Sequence, residues 1–201
     1  MESKILTLFA YDSQLTFSQI KEKLKIRSNL LSYWLNKLIK MQILDKVDNL
    51  YTLSEKSEHL VPYLSENKST LPVILILIRD KNKVFLYKRA KRPYKGMLSL
   101  PGGRLLIGES IERGAKRIMQ TKFNIAIEKT RINSINLEHV TKKKRTIYSF
   151  LLILVKAETK DSILLENIYK VKNKIIKSDY NLIKSANDEE IEIKTIFSDY
   201  K

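Results

Sequence analysis

Apolar residues recur along this chain first with the period of a helix and later as the continuous runs of buried strands. Ile5, Leu8 and Phe9 stand at helical spacing within residues 3–11. Phe17, Ile20 and Leu24 then mark one side of a short helix. Thr16 followed by Gln19 predicts a capping box at its start, in which hydroxyl and amide each satisfy a free backbone donor. After the turn "KIRS", Ser28 is the expected cap of a longer helix. On that helix Leu31, Trp34, Leu35 and Leu38 fall at i, i+3, i+4 and i+7, one apolar stripe. The opposite face carries Asn29, Ser32, Tyr33, Asn36, Lys37 and Lys40. "ILDKVDNLYTLS" predicts two short strands around Asp48-Asn49, and Ser54 is expected to cap a further helix that Pro62 ends.

"SENKSTLP" (Ser65–Pro72), polar and closed by a proline, is the expected linker. Beyond it the pattern changes. "PVILILIRDKNKVFLYKRA" predicts a hairpin of two apolar strands around Asp80–Lys83. "TKKKR" (Thr141–Arg145) precedes the strand "TIYSFLLILVKAE" and is expected to be a basic hairpin turn. A helical stretch, "SDYNLIKSA", is followed by acidic "NDEEIEI", expected to be a solvated run.

Helix, short helix, longer helix with a polar outer face, hairpin, helix: over Met1–Leu64 this resembles the winged helix-turn-helix domain, assigned here to residues 1–68. The resemblance implies DNA binding through Ser28, Asn29, Ser32, Tyr33, Asn36 and Lys37, side chains of the kinds that reach base edges and phosphates. The competing reading is a polar face that is merely solvated or that meets a protein. Residues 1–70 favour it, with 10 Lys/Arg against 8 Asp/Glu and with Asp45 and Asp48 in the hairpin.

The stretch "KGMLSLPGGRLLIGESIERGAKRIMQTKFNI" resembles the box of the Nudix hydrolase family, and residues 69–201 are assigned to such a domain. Gly103 matches the first glycine of the family's pattern and Glu109 its first glutamate. Arg117 matches the arginine, Met119 and Ile125 two apolar positions. Gly102, Gly103, Glu109 and Arg117 are therefore read as retained scaffold, the glutamate pairing with the arginine to brace the loop. Where the family places three helix glutamates this chain has Ile118, Thr121 and Lys122, and Asn124 replaces a glycine. Those glutamates hold the divalent ion that activates water on a pyrophosphate. Isoleucine, threonine and lysine supply no anionic oxygen for it. The expectation is no catalytic residue, no bound metal and no cofactor. Magnesium or manganese enters only in the alternative of an active hydrolase with a displaced site through Glu112. Lys122 instead offers an ammonium to a phosphate. Arg89, Arg92 and Arg104 are its expected companions, in segments that flank the nucleotide cleft of this fold.

Composition adds two constraints. The formal charge of +16 is concentrated in residues 71–201, where 28 Lys/Arg face 14 Asp/Glu. Such an excess favours polyanionic partners, although a Lys-, Ile- and Asn-rich composition produces it too. There is no cysteine, and hence no disulfide framework or zinc ribbon. The longest apolar runs, Val73–Ile78 and Phe150–Val155, are too short to span a bilayer, and no signal-peptide pattern opens the sequence. A cytoplasmic protein without a membrane partner is expected.

The whole reads as an α+β chain: a winged helix-turn-helix domain followed by a Nudix-type α/β/α sandwich with a mixed sheet. The two domain types are joined in the opposite order in a family of bacterial transcriptional regulators that sense nucleotide metabolites. That resemblance implies a DNA-binding regulator whose second domain binds a phosphorylated nucleotide-like ligand or forms a homodimer. An RNA- or protein-binding module stays open beside the hydrolase alternative.

Overall fold

The computed structural model describes residues 1–64, 69–196 and 198. They divide into two compact units, Met1–Ser69 and Thr70–Lys201. The first part of the expected linker, residues 65–68, lies outside the described residues.

The first unit runs α1 (Glu2–Leu8), β1 (Gln14–Thr16), α2 (Phe17–Leu24), α3 (Ser28–Lys40), β2 (Leu44–Val47), β3 (Leu50–Leu53) and a 3₁₀ helix, Glu55–Tyr63. β3 is the middle of a three-stranded antiparallel sheet, order β1-β3-β2. The helices bury Ile5, Ile20, Leu31, Leu35 and Leu38 against Leu15, Leu44 and Tyr51 of the strands. The capping box is formed. Thr16 Oγ1 accepts from the Gln19 amide at 3.3 Å, and Gln19 Oε1 accepts from the Thr16 amide at 2.8 Å.

Three local expectations are corrected. Arg27, not Ser28, is the N-cap of α3, and it makes no side-chain cap bond. The Ser54 hydroxyl does not cap the next helix but donates to the Gln42 carbonyl at 2.7 Å, fastening the end of β3 to the turn after α3. Pro62 falls inside that 3₁₀ helix rather than beyond it.

In the second unit the chain forms β4 (Leu71–Leu77), the short strands β5 (Arg79–Asp80), β6 (Lys83–Val84), β7 (Tyr87–Lys88) and β8 (Leu98–Ser99), then β9 (Gly102–Arg104) and α4 (Ile111–Phe123). The long hairpin β10 (Thr130–Lys142) and β11 (Arg145–Ala157) follows, then β12 (Glu166–Asn167) and α5 (Lys177–Ser185). The main sheet has the order β10-β11-β4-β9. β11 and β4 are parallel and the outer pairings antiparallel, so the sheet is mixed.

The continuous apolar runs are explained by burial on both faces. Ile74, Ile76, Ile153 and Val155 point to one side, where Ala115, Ile118 and Met119 of α4 cover them. Leu75, Leu77, Leu152 and Leu154 point to the other, beneath Leu182 and Ile183 of α5. Among these fully covered positions one face is β-branched and the other leucine, with Val73 and Phe150 at the margin of the leucine side. Fully burying each such side chain contributes roughly 1.5–3 kcal/mol, so the central pair of strands anchors both layers. The basic turn between β10 and β11 is a two-residue one, with Lys143 and Lys144 both at positive φ, 49° and 63°.

The acidic tail after α5 is exposed, as expected, and its backbone is also tied down. Buried Asn133 donates through Nδ2 to the carbonyls of Asn187 and Glu189 at 2.9 and 3.0 Å, and the Ile191 amide donates to Ile132. No helix among the described residues is long and apolar enough to cross a membrane.

α4 approaches the sheet closely because Gly114 has no side chain. A Cβ there would lie 2.5 Å from Ile74 Cδ1 and 2.9 Å from Glu109 Oε1. Gly→Ala in a helix ordinarily gains about 1 kcal/mol. Here Gly114→Ala is expected to lower the unfolding free energy by ~1–3 kcal/mol through overpacking. Urea denaturation at constant m-value measures it, and a stabilised variant would contradict the packing described.

Candidate functional site

Loop and helix around residues 102–124 form one braced unit. β9 pairs with β4 so that Gly102 faces Leu75 and Gly103 faces Ile74. At Gly102 a Cβ would meet the Ile74 carbonyl at 2.9 Å, so only glycine lets this turn lie so close to the strand. The loop then rises to Ser110, whose hydroxyl caps α4 by accepting from the Arg113 amide at 3.2 Å. Arg117 reaches back from the second turn of α4. Its Nε donates to Glu109 Oε2 at 2.8 Å and its Nη2 to the Arg104 carbonyl at 3.0 Å. Glu109 also accepts from the Leu106 amide at 2.8 Å. The Arg117 bond, with that amide, holds the Glu109 carboxyl below the usual carboxylate range. Asn124 closes α4 in the left-handed conformation, φ 54°. Asparagine tolerates it best after glycine.

The face of α4 turned toward the Gly-Gly turn carries Ile118 and Lys122. Ile118 is fully buried, its Cγ1 3.0 Å from where a Gly103 Cβ would stand. Lys122 Nζ lies 3.4 Å from that same point and donates to the Gly102 carbonyl. Thr121 spends its hydroxyl on the Arg117 carbonyl at 2.7 Å. Glu112 is ion-paired with Lys116 at 2.7 Å. These residues do not fit a divalent cation. The carbonyl that could ligate one already binds an ammonium, and a cation beside Lys122 would be repelled. No group of three or more His, Cys, Asp or Glu among the described residues could hold a metal.

The Lys122 ammonium is pushed below the usual lysine range, first by loss of water around it, then by the charges of Arg89, Lys91 and Arg117. Three further cations thus lie near enough to act on it. Of the expected companions, Arg89 is among them, whereas Arg92 and Arg104 are not among the charges acting on Lys122. Both have exposed side chains, and Arg104 contributes its backbone carbonyl to Arg117 instead. Lys91, not singled out from the sequence, takes their place. Arg89 is fixed by donating from Nε to the Pro93 carbonyl at 2.6 Å.

Arg89 also lines a small cavity of about 60 Å³ between the sheet and α5, with Val73, Leu75, Tyr94, Glu138, Phe150 and Asp179. Asp179 went unnoticed in the sequence, though it left a signal. It is an acid within the inward stripe Ile175, Ile176, Leu182, Ile183. Its Oδ2 accepts from Ser99 Oγ and from the Leu100 amide, both at 2.8 Å. Burial pushes its carboxyl up to about 6 against those bonds.

On the first unit, Ser28, Asn29, Tyr33 and Asn36 are exposed along α3, Tyr33 at 60%. Ser32 is half-buried. Lys37 is engaged within the unit: it pairs with Glu2 at 2.6 Å and lies 4.7 Å over the Trp34 ring. The Glu2 hydrogen bond raises its pKa.

A mixed sheet between two helices, with a glycine turn, an acidic brace and a following helix, defines the class. Residues 68–167 match the family model described as NUDIX domain, and this stretch of the chain is a Nudix domain. Several solved structures are similar. The MutT NUDIX hydrolase from Burkholderia pseudomallei matches with TM-score 0.48 and 15% identity, over 60% of this chain and 100% of that one. The mutator MutT protein from Bacillus halodurans matches with TM-score 0.47 and 22% identity, over 57% and 80%. The NUDIX domain of Shewanella oneidensis NrtR, complexed with ADP ribose, matches with TM-score 0.47 and 14% identity, over 66% and 96%. No curated protein matches the sequence.

Asp179 gives a pH test. Its folded value of about 6 lies above the ordinary 3.8, so the protonated acid stabilises the fold. That contribution is complete below pH ~4 and is lost as pH rises through ~6. Relative to Asp179→Asn, the native protein is expected to lose on the order of 2–3 kcal/mol of unfolding free energy between pH 4 and 7. Parallel pH curves for the two proteins would remove burial as the cause.

Proposed function

We propose that the chain is a DNA-binding transcriptional regulator. Residues 1–68 act as a winged helix-turn-helix domain. Residues 69–201, the Nudix domain, bind a phosphorylated nucleotide-type ligand that is not hydrolysed there. The observation that carries this reading is the Lys122 ammonium on the Gly102 carbonyl, in the field of Arg89, Lys91 and Arg117. A fixed cation stands on the helix face where a hydrolase of this family would hold its ion. A phosphate placed there gains charge-assisted hydrogen bonds. With Ile118 buried and Glu112 committed to Lys116, no carboxylate is left on that face to hold a metal and activate water.

The DNA assignment is supported by the polar side chains exposed along α3 and by the β2–β3 hairpin that follows them. One observation favours a second reading, in which that face meets a protein: Lys37 is already neutralised by Glu2.

Calorimetry with ADP-ribose and nucleoside diphosphates in EDTA tests the ligand site. Binding is expected without metal, and product release with magnesium or manganese is not. Lys122→Glu should weaken binding by ~1.5–3 kcal/mol, the contribution of a hydrogen bond to a charged group. Because Lys122 titrates below the ordinary lysine range, affinity should begin to fall at a lower pH than a free lysine would dictate. Metal-dependent turnover would overturn the reading. So would binding indifferent to Lys122.

For the first unit, anisotropy with duplex DNA is expected to show affinity that falls steeply with salt, as counterion release requires. Asn29→Ala and Tyr33→Ala should each cost roughly 1–3 kcal/mol if they reach base edges. If both variants bind DNA as the native chain does, α3 is not the reading helix and the protein-contact reading takes its place.

A further inference from the structure

The second unit holds a second concentration of positive charge, away from Lys122. Register places Arg131 of β10 directly opposite Lys156 of β11, and Lys156 opposite Leu77 at the end of β4. Like charges directly opposed across strands are destabilising. Around this pair opens a groove of about 440 Å³, lined also by Arg79, Lys81 and Lys129. Its carboxylates are Glu158 and Asp188.

Arg79, Lys81, Lys129 and Arg131 are exposed to solvent, and two of the five cations are held by bonds. Lys156 keeps only 19% of its side chain exposed, and Arg79 donates from Nη1 to the Ile183 carbonyl at 3.3 Å. Asp188 meets Lys156 Nζ at 2.9 Å while its own side chain stays 99% exposed. Its carboxyl is held below the usual range by Lys156 first, then by Arg131 and Arg79. So one water-exposed carboxylate meets Lys156 directly and lies near enough to Arg131 and Arg79 to feel their charge. That carboxylate belongs to the tail, held over the groove by the Asn133 side chain through Asn187 and Glu189.

We propose that this groove is a phosphate-binding site in which Asp188 stands in for the ligand. Five basic side chains facing two carboxylates leave an excess of three positive charges, enough for a doubly charged phosphate group after Asp188 moves aside. The volume is in the range of small-molecule sites. The site is separate from the Lys122 cluster and does not rest on it. Gly103 pairs with Ile74 and the groove begins at Leu77, about 10 Å further along the strand at ~3.3 Å per residue. Leu77 also packs on the α5 side of the sheet, whereas Lys122 belongs to α4. The shared chemistry is a phosphate dianion or diester, whether carried by a free nucleotide or by a nucleic-acid backbone.

The test uses the full chain carrying Lys122→Glu, which weakens the first cluster, with inorganic pyrophosphate, AMP and a short duplex DNA as probes in EDTA. Replacing both Lys129 and Arg131 by Ala is expected to weaken binding at least about tenfold, one or two charge-assisted hydrogen bonds. Asp188→Asn removes the internal anion and is expected to tighten binding roughly threefold, a gain that a damaged fold cannot produce. An effect confined to pyrophosphate and AMP identifies a small phosphate ligand, and one shared with DNA identifies the backbone. A chain that binds none of the probes, a Lys129/Arg131 variant that binds as before, or Asp188→Asn without a gain would each overturn the proposal.

Discussion

The parallel pairing of β4 with β11 is the constraint on which the second unit depends. Both strands are covered on both faces, so every backbone group must find its partner in the sheet and every side chain a neighbour above or below it. The alternation of β-branched residues toward α4 and leucines toward α5 follows from the two-residue period of a strand. Because β9 pairs along β4, the Gly102-Gly103 turn inherits its position from that core. The loop after it, the Glu109–Arg117 brace and the Lys122 ammonium are then placed by a rigid scaffold. A shift of one residue in the central register would move all of them together and expose one apolar face.

Local patterns were legible where the physics is local. The capping box at Thr16 and Gln19, the hairpin turn at Asp48 and the basic turn at Lys143-Lys144 each depend on a few neighbouring residues. The pair Glu109 and Arg117 could be read because eight residues of loop and helix bring them together. What could not be read depends on distant partners. The three residues of β1 carry no periodicity, and they are a strand because β3 accepts them. Ser28 and Ser54 had the right chemistry for caps, but Ser54 found the Gln42 carbonyl instead. Lys91 joins the cations around Lys122 through the path of a loop, and Asp179 meets Ser99 across 80 residues of sequence. The tail "NDEEIEI" has the composition of solvated chain, and its backbone is fixed by distant partners, buried Asn133 and the Ile132 carbonyl on another strand.

Charge in the second unit is organised in a way that its total conceals. Around Lys122 two cations, Lys122 itself and Arg89, are held by the carbonyl groups of Gly102 and Pro93, which are neutral and leave their charge uncancelled. A carboxylate partner would have satisfied the same hydrogen bonds and removed the field. Neutral acceptors fix a cation in place while keeping its charge available. The same unit thus separates two uses of arginine: Arg117 is neutralised by Glu109 and serves the loop's rigidity, while Arg89 keeps its charge.

The burial of Ile118 has a consequence for what this helix face can accept. With no exposed surface, and with its side chain filling the space in front of Gly103, it is part of the cluster that joins α4 to Ile74 and Ile76. A glutamate placed there would carry its carboxylate into a hydrocarbon environment, beside an ammonium that the Gly102 carbonyl holds in place. Burying a charge costs several kcal/mol unless it is paired and hydrogen-bonded, a large fraction of the stability of a domain this size. Position 118 therefore tolerates a carboxylate only if Lys122 turns from the carbonyl to meet it. Packing and pairing on this helix face can change only together.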